Sequence, residues 1–119
     1  MHIKTLCEEA HRIACDKGFW DDAAGRKGQA IRNTSELLML IVSELGEACE
    51  ALRTDTRQKE RVNRFAPAIW QKDTFEDEIA DTFIRLGDLC ESMSIDIEWQ
   101  IKKKLEYNEK RPQKHGKQF

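Results

Sequence analysis

Leu37-Leu38-Met39-Leu40-Ile41-Val42-Ser43-Glu44-Leu45-Gly46-Glu47-Ala48-Cys49-Glu50-Ala51-Leu52 contains the longest apolar run of the chain, and two carboxylates interrupt it. Glu44 and Glu47 stand at i, i+3, a spacing that puts both on one face of a helix. At about 100° per residue, Leu37, Leu38, Ile41, Leu45, Ala48 and Leu52 form one broad apolar arc. Glu44 falls inside that arc, between Leu37 and Ala51. Glu47 falls at its edge beside Leu40, and Glu50 points away. An acid on a core-facing stripe costs several kcal/mol unless it is paired, neutralised or bound to a cation. The rest of the chain must therefore supply a partner.

The segment Phe75-Glu76-Asp77-Glu78-Ile79-Ala80-Asp81-Thr82-Phe83-Ile84-Arg85-Leu86 repeats the device. Phe75, Ile79, Phe83, Leu86, Leu89, Cys90 and Met93 make an apolar stripe, and Glu78 and Asp81 again lie at i, i+3. Two such helices, packed antiparallel, converge four carboxylates. Two like charges about 4 Å apart at an effective dielectric of 20 repel by roughly 4 kcal/mol. A hard cation with oxygen ligands, Mg²⁺ or Mn²⁺, relieves that repulsion.

The chain of 119 residues fits a single domain, read here as residues 1–119, and its 39% apolar and 35% charged content suits amphipathic helices with wet outer faces. So small a core makes self-association the expectation. A net charge of −2 argues against general nucleic-acid binding. No apolar run reaches the length of a membrane span, and Met1 to Thr5 lacks the apolar core of a secretory signal, so the expected location is the cytoplasm. Cys7, Cys15, Cys49 and Cys90 form no C-x-x-C pair and read as small core or near-core residues kept reduced.

Four helices are expected. The first covers Ile3 to Lys17, with Gly18 as its stop and His11 as a structural side chain beside its apolar face. Phe19 to Asn33 is a glycine-bearing loop, in which Trp20 is either a cap over the helix ends or a stacking wall for a nucleotide base. Thr34 or Ser35 caps a second helix that runs to about Arg53. A polar stretch follows, with Pro67 and a short helix near Gln58 to Asn63. Asp73 or Thr74 caps the third helix, and Thr74-Phe75-Glu76-Asp77 has a capping-box pattern. Ser94 caps the fourth, Ile95 to about Glu109, which Pro112 ends. Between residues 102 and 117 seven lysines and arginines face two glutamates. Within that basic run Lys104, Asn108 and Arg111 recur at i, i+4, i+7, a stripe of donors suited to polyphosphate oxygens.

Glu44-x-x-Glu47 followed by Glu78-x-x-Asp81 resembles the E-x-x-E…E-x-x-D signature of the MazG-like all-α nucleoside triphosphate pyrophosphohydrolases. Leu40-Ile41-Val42-Ser43-Glu44-Leu45-Gly46-Glu47 is similar to that family's I-S-E-[LV]-G-E element, and Glu78-Ile79-Ala80-Asp81 to its E-[IL]-x-D element. Lys104-x-x-x-Asn108-x-x-Arg111-Pro112 is similar to its C-terminal donor element. The resemblance covers residues 34 to 117. It implies a four-helix-bundle-type fold assembled as a homodimer or homotetramer. It also implies Mg²⁺ on Glu44, Glu47, Glu78 and Asp81, and hydrolysis of a nucleoside triphosphate or its deoxy form to monophosphate and pyrophosphate, a housekeeping of nucleotide pools. Lys104, Asn108, Arg111 and Trp20 are then the substrate-binding candidates. Ser43 stands where some members carry a further acid, and Arg85 stands where the dCTP-preferring branch often carries tyrosine, so dCTP preference is not implied.

The chemistry agrees independently of the family. Hydrolysis at a phosphate needs a metal-activated nucleophile and charge neutralisation, which four acids supply with one to spare as a base. Glu44, the most core-facing, is the first candidate for ligand and base together. No G-x-x-x-x-G-K-[ST] loop is present, which excludes a P-loop enzyme. Only one histidine follows a glutamate by three, His11 after Glu8, whereas a di-iron carboxylate bundle carries that pair on two helices, which argues against it. The remaining alternative is a non-catalytic helical binding or regulatory module whose acids form structural ion pairs.

Overall fold

A computed structural model describes residues 1–54 and 70–118. Among them the regular elements are all helical: α1 (Ile3–Asp16), α2 (Thr34–Thr54), α3 (Phe75–Ser92) and α4 (Ile97–Glu109), then a 3-10 turn over Gln113–Gly116. The expected all-α class is what the chain adopts over these residues. None of these helices is long and apolar enough to cross a membrane. The short helix expected near Gln58 to Asn63 lies outside the described residues.

The helix ends follow from local chemistry, at two of them through residues other than those expected. Asn33, not Thr34 or Ser35, starts α2: its side-chain oxygen accepts from Glu36 N–H at 3.1 Å. Thr74 caps α3 as expected, its hydroxyl accepting from Asp77 N–H at 3.2 Å. Asp77 answers by accepting from the N–H of Asp73 at 2.8 Å, one residue before the reciprocal bond of a standard capping box. Ser94 does not cap α4. It takes a left-handed conformation (φ 54°) just past α3, where Ile95 N–H reaches back to the carbonyl of Cys90 at 2.9 Å. That is a Schellman closure with serine in the place glycine usually fills. α4 starts at Asp96, which accepts from Trp99 N–H at 3.0 Å.

α3 lies between α1 and α2 and packs on both, whereas α4 packs mainly on α1. Trp20, Leu37, Ile41 and Leu89 form the core, with Ala14 and Cys15 against it. α1 passes close to Gly87 of α3, where an added Cβ would just reach ordinary van der Waals contact. A Cβ there would stand 3.4 Å from the Cα of Cys7 and 3.7 Å from the Cβ of Ala10. Cys7 and Cys90 are buried near this contact, Cys15 is half-buried, and Cys49 is exposed rather than near the core; all four are free thiols.

One acid ties three segments together. Asp88 on α3 accepts from His11 Nδ1 of α1 at 2.7 Å and from the indole N–H of Trp20 at 3.0 Å. The His11 ring meets the Trp20 ring edge-on at 5.4 Å. Asp88→Ala would strand two donors at once. The expected loss is on the order of 2–3 kcal/mol, read as a lower urea midpoint with an unchanged slope.

α2 carries two apolar stripes, one residue apart. Leu37, Ile41, Glu44 and Ala48 face inward and are buried. Leu38, Val42 and Leu45 follow the same i, i+4, i+7 spacing and remain exposed, Val42 by 50%. The stripe expected to bury α3 divides likewise: Leu89 and Cys90 are buried, while Phe83, Leu86 and Met93 are exposed. α4 buries no residue.

Candidate metal centre

Glu44 and Glu47 come from one turn of α2, and Glu78 from the first turn of α3. Packing of α2 on α3 brings one carboxylate oxygen of each within 4.8 Å of the others. Glu44 and Glu78 are buried, and Glu47 is exposed. Asp81, the fourth expected acid, is half-buried one turn beyond Glu78 and is not part of this trio.

The electrostatics differ from one acid to the next. Burial pushes the Glu78 carboxyl up, and the hydrogen bonding and charge of Glu47 and the charge of Asp81 add to it, to about 7. Its Oε2 is buried and has no hydrogen-bond partner among the described residues. Glu47 is raised from its ordinary value by its contact with Glu44. Asp81 is raised by burial and then by the charges of Asp77 and Glu44. For Glu44, burial acts upward, but hydrogen bonds from Arg85 and the neighbouring acids, together with the Arg85 charge, bring it below its ordinary value. Arg85 Nε donates to Glu44 Oε1 at 2.7 Å. In the sequence alone Arg85 stands out only for the tyrosine it replaces. Its signal was available as the one cation, at i+4 from Asp81, on the acid face of that helix.

A second trio, Asp73, Asp77 and Glu78, shares Glu78 at the start of α3. Asp77 already serves the helix cap there, so capping accounts for this group. The spacing of Asp73 and Asp77 reads first as a cap, which is why neither stood out as a ligand.

Trp20 is 6% exposed, with its indole N–H on Asp88 and the Arg32 guanidinium 5.0 Å above its ring. The ring is built into the core and presents no open face for a base. On α4, Lys104 Nζ and Arg111 lie over the Tyr107 ring at 4.8 and 5.5 Å. Asn108 Oδ1 is buried and has no hydrogen-bond partner among the described residues. Within one chain α4 rests mainly on α1, while the acids lie where α2 meets α3. No family model, curated protein or solved structure matches the chain.

Proposed function

We propose that the chain is a Mg²⁺-dependent nucleoside triphosphate pyrophosphohydrolase of MazG-like type, assembled as a dimer or a dimer of dimers. The single observation that carries this reading is the buried oxygen of Glu78, unpartnered among the described residues, beside two further carboxylates. A buried acid pushed up to about 7 among like charges is a place a cation would stabilise. Glu44, Glu47 and Glu78 are the holding residues, with Asp81 one turn away. A bound Mg²⁺ or Mn²⁺ would supply charge neutralisation at the phosphates and a more acidic water. Glu44 is a poor base, because Arg85 engages one of its oxygens. Exposed Glu47 is better placed to accept a proton from water. Lys104, Asn108 and Arg111 supply donors to the phosphates, in an assembly that brings α4 to the acids.

The Glu44–Arg85 ion pair is what a non-catalytic module with structural ion pairs would contain. Among the described residues, a single guanidinium against three carboxylates still leaves Glu78 Oε2 without a partner, which favours the cation-binding reading. The test is pyrophosphate release from a panel of nucleoside and deoxynucleoside triphosphates with Mg²⁺, Mn²⁺ or Ca²⁺. Turnover is expected with the first two, poor with Ca²⁺, and absent in excess EDTA. Full turnover in EDTA, or none on any nucleotide, would sink the reading. Lys104→Ala and Arg111→Ala are expected to raise KM while shifting stability by no more than about 0.5 kcal/mol. Wild-type kinetics in both would return the stripe to a solvated helix face.

A further inference from the structure

We propose that Arg85 is a resident counter-cation which releases Glu44 to the divalent ion and turns to the triphosphate, so that one guanidinium couples metal binding to substrate binding. The inference rests on the cation-binding reading above. Three observations carry it. Arg85 sits on α3 at i+4 from Asp81 and i+7 from Glu78, on the face that meets α2. Its Nε bonds Glu44 Oε1 at 2.7 Å, and Glu44 is at the same time one of the three carboxylates able to meet at one ion. Its side chain is 40% exposed against 10% for Glu44, and its two terminal amino groups bond no other described residue.

Glu44 is thus claimed by two cations that repel each other. When metal alone arrives, Arg85 must give up the one carboxylate it hydrogen-bonds among the described residues and keeps only the through-space attraction of Asp81, which opposes metal binding. With a triphosphate present the freed guanidinium has a new partner, for which its planar fork is well suited. Metal and triphosphate then assist each other, and by linkage the assistance is equal in both directions.

The test measures bound Mn²⁺ by equilibrium dialysis at matched free Mn²⁺, with and without inorganic tripolyphosphate. Wild type is expected to bind Mn²⁺ weakly alone and at least about fivefold tighter with tripolyphosphate. Arg85→Gln is expected to bind Mn²⁺ alone more tightly than wild type and to lose the tripolyphosphate effect. Arg85→Lys, which keeps the charge, should stay as weak as wild type for Mn²⁺ alone. A merely structural Arg85 predicts the opposite sign, with Arg85→Gln loosening the cluster and weakening Mn²⁺. Equal or weaker Mn²⁺ binding by Arg85→Gln, or no tripolyphosphate effect in wild type, overturns the inference and leaves the metal site standing. Absence of Mn²⁺ binding by wild type under every condition overturns both.

Discussion

Glu78→Gln is expected to abolish pyrophosphate release and, in EDTA at neutral pH, to melt at a higher temperature than the wild type. The sign follows from linkage. Glu78 has its folded value raised from 4.5 to about 7. The folded state therefore holds this proton more tightly than the unfolded state does. Stability attributable to Glu78 is intact below pH 4.5 and is lost as the pH rises towards 7. A shift of that size corresponds to an upper limit on the order of 3 kcal/mol. Glu44 acts in the other direction, since its value is lowered, and its contribution is lost only as the pH falls below its ordinary range. In EDTA the wild type should lose melting temperature between pH 5 and 7 relative to Glu78→Gln, roughly a few degrees per kcal/mol. Added Mg²⁺ should reverse the order. A ligand at a hundredfold excess over Kd adds about 2.7 kcal/mol to the protein that binds it, and the amide binds more weakly. The two curves of melting temperature against Mg²⁺ should cross. If Glu78→Gln melts below wild type in EDTA across the whole pH range, the carboxylate serves the fold and not a cation.

The second large effect concerns assembly. Wild type is expected to scatter light as at least twice 13.9 kDa, and a Val42→Lys/Phe83→Lys double variant as 13.9 kDa. Val42 lies in the exposed stripe of α2, and Phe83, 59% exposed, lies on adjacent α3. Leu38, Leu45, Ile84 and Leu86 are also at least 40% exposed. Lone surface apolar residues are ordinary, but this many on two neighbouring helices exceed what a monomer usually leaves in water. Both substituted positions are exposed in the single chain, so helix content should persist while association fails. A wild-type monomer at micromolar concentration would contradict the expectation.

The acids were legible because a charge inside an apolar period is rare and costly. Glu44 was placed within the buried stripe by the wheel alone, and it is buried. The wheel could not divide the broad arc of α2 into an inward and an outward stripe, because Leu37 and Leu38 look alike until a neighbour is chosen. The same ambiguity hid the exposure of Phe83 and Leu86, which periodicity assigned to the core. Helix ends failed where a better cap stood one or two residues away from the residue expected. Asn33 beat Thr34 and Ser35, and Asp96 beat Ser94, which the turn between α3 and α4 uses in a left-handed conformation. Trp20 was readable as aromatic and loop-borne, yet its anchor, Asp88, lies far along the chain and no spacing rule links them. Arg85 was passed over for a related reason: on its own helix it reads as a solvent cation, and only the packing of α2 gives it a carboxylate.

α4 has a consequence for cooperativity. It is a 13-residue helix with no buried residue. Helices of that length are marginal in water when nothing packs on them. Trp99, Leu105 and Tyr107 are each more than half exposed, so most of the apolar surface that would hold α4 in place is unused within one chain. The molecule therefore has two tiers of local stability. Opening α1, α2 or α3 disrupts the shared core and costs much of the global free energy, whereas α4 can fray alone at little cost. The donors Lys104, Asn108 and Arg111 ride on the weaker tier. Their preorganisation is then a property of whatever covers α4, and the entropy of ordering them is lost again each time that cover is removed.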